Sequence, residues 1–217
     1  MQEAPVFEKI CQNYLERVAA RNWSDKADLL CIRVDGKTVE IDFFNTPFTI
    51  TPTAIADSSG TPPNYAVSVV LCQYLLRCPT AVSRSDELVT YNDFKDAGPH
   101  VTGFMNAAEV PISQYFTGRA AELEERCRRL GGKPFSTVAS YQFTCELPAL
   151  PRVPIYFFFN DSDEEFAASC NLLFQKNASQ FLEMECIAMV GNILAKWLKR
   201  YREQPEPMGL AYWDQCS

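Results

Sequence analysis

The sequence predicts an α+β fold: an antiparallel sheet built from hairpins, with helices packed on it, in a single domain. Three observations lead there. Alternating β-rich runs are joined by short turn signals, as at Asp35-Gly36. Long segments with apolar residues three and four apart stand between them. The order of the two is irregular, without the β-α-β alternation of a parallel sheet.

Residues 4–22, APVFEKICQNYLERVAARN, open the chain with an amphipathic helix. Phe7, Ile10, Cys11, Tyr14, Leu15 and Val18 share one stripe. LLCIRVDGKTVEIDFF then reads as two strands around Asp35-Gly36, a pair suited to a type I′ turn with positive φ at its centre. PFTITP adds a third strand. GTPPNYAVSVVLCQYLLRC begins with prolines fit for a first helical turn and continues almost wholly apolar, as a buried central helix does. ELVTY is a short strand, and KDAGPHVTGF a loop.

From Val110 to Leu130 the pattern is helical, and Gly131-Gly132 stops it. Glu122, Glu124 and Glu125 stand four residues before Arg126, Arg128 and Arg129, so the basic run RCRR is expected to be neutralised on a solvated face. SYQFTCEL and VPIYFFF are strands joined by PALPR, and NLLFQ is another. A helix from about Glu183 to Tyr201 buries Ile187, Val190, Leu194, Trp197 and Tyr201. Glu183 and Glu185 open it and Lys196, Lys199 and Arg200 close it, the order a helix dipole favours. The domain is expected to span 1–202, with a Pro-rich tail over 203–217.

Composition narrows the function. The 217 residues are 47% hydrophobic and carry a net charge of −7, ordinary globular material that disfavours nucleic acid and anionic membranes. The longest apolar run, Ala66–Leu76, is too short to span a bilayer, and the first residues lack the pattern of a signal peptide. Nine cysteines without a C-x-x-C pair suit free thiols in a reducing cytoplasm. The expectation is therefore a cytoplasmic protein with an unidentified protein or small molecule as partner.

Two places hold candidate chemistry. Asp161, Asp163, Glu164 and Glu165 follow the greasy run PIYFFF. Counted from Asp161, the sixth and twelfth places are Phe166 and Leu172, where a calcium loop needs glycine and glutamate. The expected role is a strand-to-helix connection, with Asp161 or Ser162 capping and Phe166 returning to the core. The second place is the loop with Asp96 and His100, the only histidine, which any Ser-His-Asp or Cys-His nucleophile would need. No phosphate-binding glycine motif and no nucleophile elbow is present. No cofactor and no metal is assigned.

A series of short motifs runs in order through most of the chain: Gln73-Tyr74-Leu75-Leu76, the segment from Val89 to Asp96, Leu130-Gly131-Gly132, Leu147-Pro148-Ala149-Leu150-Pro151, Asp163-Glu164-Glu165-Phe166, Leu173-Phe174-Gln175 and Glu185-Cys186-Ile187-Ala188. In that order they resemble the bacterial and archaeal domain-of-unknown-function family 3786. The resemblance implies no established activity. Some members are fused to iron–sulfur domains and come from anaerobes, but this chain has no such Cys-rich domain. Gln73 and Gln175 stand where the family often has His and Asp, departures that weaken a proton-transfer or metal role for either. The implied function is a non-catalytic ligand- or protein-binding domain, accessory to anaerobic redox or corrinoid metabolism. The alternative is a metal-dependent hydrolase using the acidic turn with His100.

Overall fold

A computed structural model describes residues 4–83, 85–137 and 140–200, with side chains from Val6 onward. It is an α+β fold with two antiparallel sheets. The first is a meander of β1 (Arg33–Asp35), β2 (Thr38–Phe43), β3 (Thr46–Ile50) and β4 (Ile55–Asp57), paired in chain order. The second contains β5 (Leu88–Thr90), β6 (Lys133–Pro134), β7 (Phe143–Leu150), β8 (Val153–Asn160) and β9 (Ser169–Gln175), in the order β5-β9-β8-β7-β6.

The β1–β2 turn differs from the expected one. Its central residues are Gly36 and Lys37, since Asp35 pairs with Thr38, and of the two only Gly36 has positive φ (58°). That is the φ pattern of a II′ turn. Positive φ at both centres occurs instead at Phe44 (45°) and Asn45 (61°), between β2 and β3. An aromatic residue rarely sits there, and the fold holds it firmly. Phe44 is buried, its ring edge-on to Phe43, and its N–H donates to the carbonyls of Pro148 and Ala149 at 3.1 and 3.2 Å. Those carbonyls lie where the β7–β8 register shifts between Leu147 and Leu150. The strained turn and the bulge thus tie one sheet to the other.

The helices are α1 (Ala4–Ala19), α2 (Ala27–Leu30), α3 (Tyr65–Leu76), α4 (Val101–Phe104), α5 (Val110–Phe116), α6 (Ala120–Arg129) and α7 (Met184–Arg200), with a π-helical turn at Met105–Glu109. In α3 the prolines precede the helix and Asn64 caps it, its side chain accepting from the Val67 N–H at 3.0 Å. Nine of its twelve residues are buried, as a helix packed on several sides requires. The helical pattern from Val110 is broken at Thr117-Gly118, which separates α5 from α6. Residues 101–104, read as loop, are helical.

Alternation along β8 sorts its residues. Val153, Ile155, Phe157 and Phe159 are fully buried toward the helices. Tyr156 and Phe158 lie on the other face under Phe135 and Tyr141, with ring centroids 4.9 and 4.8 Å apart. Trp197 of α7 packs on Phe43 and Phe44 at 5.5 and 5.7 Å, so the first sheet shares the core of the second. Tyr201 and the tail from residue 203 lie outside the described residues.

Candidate functional site

The segment after β5 is shaped by its own polar residues. Asp93 accepts from the N–H and hydroxyl of Thr90 at 2.8 and 2.7 Å, closing a capping box around the turn Tyr91–Asp93. Phe94 and Ala97 then point into the core. With those two pinned, Lys95, Asp96 and His100 are turned toward solvent. The turn Gly98–His100 ends with the His100 N–H donating to the Ala97 carbonyl at 2.8 Å.

Two other elements meet this segment. Arg77, just past the end of α3, donates to Glu183 at 2.9 Å and to the Ser179 carbonyl at 3.3 Å. Tyr91 donates to the Met184 carbonyl at 2.8 Å, fastening the start of α7 to the same place. Between them is a cleft of about 530 Å³. Lys95, Asp96 and His100 line one side, Arg77, Glu183 and Glu185 the other, and Phe94 and Met184 supply apolar surface. The positive end of the α7 dipole faces the same space. Asp96 and His100 therefore share one concavity. Arg77 was not singled out from the sequence, and Glu183 and Glu185 were read only as the acids that open the last helix: 106 residues separate Arg77 from Glu183, and no local pattern announces their pairing.

The acidic turn lies elsewhere and has a different form from the expected one. No helix follows it; residues 161–168 connect β8 to β9. Asp161 accepts from the N–H groups of Gly118 and Ser162 at 2.7 and 2.8 Å. Asp163 accepts from those of Glu165 and Phe166 at 2.8 and 2.7 Å, and these bonds hold its carboxyl below the usual range. Phe166 does not return to the core; it is 69% exposed. The turn leaves β8 at the end where Asn160 pairs with Ser169, whereas Ser179 and Glu183 lie past the other end of β9. Seven residues of strand place about 20 Å between the two. Among the described residues no three His, Cys, Asp or Glu side chains are arranged to hold a metal ion.

Two further polar features are structural. Arg126 was expected on a solvated face but is buried, donating to Glu122 and to the Leu198 carbonyl, with its guanidinium 5.3 Å from the Phe116 ring centre. Arg128 pairs with Glu125 and not with Glu124. Glu109, in the π-helical turn, accepts from the Leu172 N–H at 2.9 Å, next to where β5 stops pairing with β9. Burial pushes its carboxyl up, and the Leu172 N–H only partly offsets this.

Among the described residues no helix is long and apolar enough to cross a membrane. No curated protein and no solved structure matches the chain. A family model described as a domain of unknown function (DUF3786) matches residues 22–197, from just after α1 to near the end of α7. That stretch takes in both sheets and every wall of the cleft, and by it the chain belongs to the DUF3786 family.

Proposed function

We propose that the chain is a non-catalytic binding module whose cleft takes a small zwitterionic ligand, one with an ammonium and an anionic group a few bonds apart. The observation that carries this reading is the meeting of Lys95, Asp96 and His100 with Arg77, Glu183 and Glu185 around one space of about 530 Å³. That volume is in the range of small-molecule sites. Charges of both signs suit a ligand bearing both, with Arg77, Lys95 and the start of α7 toward its anionic group and Asp96 and Glu185 toward its ammonium. The hydrolase alternative needs His100 beside the acidic turn, whereas His100 lines the cleft with Ser179 and Glu183 and the turn is not among the cleft's lining residues.

The reading extends to the protein's setting: a reducing cytoplasm, as a bacterial accessory to anaerobic redox or corrinoid chemistry. The eight described cysteines support the compartment, since none is paired and Cys72, Cys127, Cys145, Cys170 and Cys186 are buried.

His100 supplies the test, because a single histidine gives one set of imidazole signals in a proton NMR spectrum. Titration with a panel of amino acids and dipeptides is expected to move those signals saturably. Arg77→Ala should weaken the effect about tenfold or more, the scale of a charge-assisted hydrogen bond. Binding detected by calorimetry with the His100 signals unmoved would sink the assignment to this cleft.

A further inference from the structure

Two exposed patches on this molecule are complementary to each other. The first is the tip of the β8–β9 connection. Phe166 is 69% exposed there, flanked by exposed Glu164 and Glu165. The tip is already ordered: the Asp163 carboxylate accepts from two backbone N–H groups, and the Asp163 N–H donates back to the Phe166 carbonyl at 3.0 Å. A backbone held in this way loses little conformational entropy when the ring it carries binds.

The second patch is a shallow groove of about 310 Å³ on the outer side of α1. Val6, Ile10 and Tyr14 give it an apolar floor, and Lys9 and Arg17 a cationic rim. These positions recur three and four apart; Val6, Lys9 and Arg17 are exposed, while Ile10 and Tyr14 are half-buried at the edge of the core-facing stripe, the Tyr14 hydroxyl accepting from Gln73 Nε2 at 3.1 Å. Among the described residues neither Lys9 nor Arg17 is in an ion pair, and Val6 is 55% exposed.

From this match of ring to groove and of acidic flank to basic rim, we infer that the protein self-associates head to tail, Phe166 of one copy entering the α1 groove of the next. In a head-to-tail pair one copy keeps a free groove and the other a free knob, so the contact is heterologous and further copies can add at either end. The patch is small, so association is weak and reversible and appears only at high protein concentration. Its charged rim makes it weaken as salt rises.

Analytical ultracentrifugation of the full chain tests this. The weight-average mass should climb with concentration at low salt. Phe166→Ala and the pair Lys9→Glu with Arg17→Glu should each weaken association about tenfold or more, as loss of a central anchor does. Mixing the Phe166→Ala variant with the Lys9→Glu/Arg17→Glu variant should restore a dimer that grows no further, because one intact knob meets one intact groove. Circular dichroism checks that each variant is folded, and all these positions are exposed enough to tolerate the change. A monomer at every attainable concentration overturns the inference and leaves the groove to another occupant. So does association that persists unchanged in Phe166→Ala, or a mixture that behaves as two monomers.

Discussion

Single residues here carry environments that sequence neighbours do not reveal. Glu109 is the clearest case. Its carboxyl is raised by burial although it accepts from the Leu172 N–H. A carboxyl raised in the folded state favours folding most when protonated, so its contribution is full below its ordinary value of 4.5 and is lost as pH climbs through the raised value. Glu109→Gln keeps an oxygen to accept from Leu172 and cannot ionise. Chemical denaturation is expected to show it more stable than the parent at pH 7, with that advantage vanishing near pH 4; equal stabilities at both values would refute the account. Nothing in the run MNAAEV marks Glu109 as unusual. His100 and Asp96 stood out by residue type, but whether they share a cavity depends on Phe94 and Ala97 anchoring the segment.

At the scale of elements, α6 separates two kinds of ion pair that look alike in the sequence. Glu122 with Arg126 and Glu125 with Arg129 have the same i, i+4 spacing. Arg126 is nearly fully buried, with 4% of its side chain exposed against 48% for Arg129. Removing Glu122 strands a buried guanidinium, so Glu122→Ala should cost about 2–4 kcal/mol; this is on the low side for a buried pair because Glu122 keeps a third of its own side chain in solvent. Glu125→Ala should cost about 0.5 kcal/mol or less. Urea denaturation measures both, and equal losses would contradict the distinction. The α1 stripe, the buried α3 and the run of α7 were legible because periodicity reports which face is apolar. Turn type was not. Phe44 and Asn45 adopt positive φ without any glycine because the bulged carbonyls of β7 and the ring of Trp197 hold them there. The acidic turn was misread for a similar reason: Asp161 satisfies the distant Gly118 N–H and not a helix start of its own.

The molecule as a whole determines how its thiols behave. Burial pushes Cys72 and Cys186 up to about 12, and Cys127 and Cys170 well above the ordinary thiol value. Thiolate is the reactive form, so these cysteines are chemically quiet in the folded state. Of the described cysteines, exposed Cys31 is expected to react first with a disulfide-exchange reagent at pH 8. Cys72, Cys127, Cys145, Cys170 and Cys186 should react only after unfolding. Peptide mapping of early-labelled protein checks this, and early labelling of Cys170 would count against the packing described.

What the sequence determined by itself is the α+β class, the location of the longer helices and strands, and the absence of known phosphate-loop and nucleophile-elbow motifs. Those features follow from hydrophobic period and turn chemistry, which act over a few residues. Tertiary structure alone decided that Arg77 meets Glu183, that His100 and Asp96 face a cleft while the four acids leave β8 at the far end of β9, and that Phe166 stays outside. Such juxtapositions depend on which strand pairs with which and where each helix docks, and the energies that settle this are contacts between residues far apart in the chain.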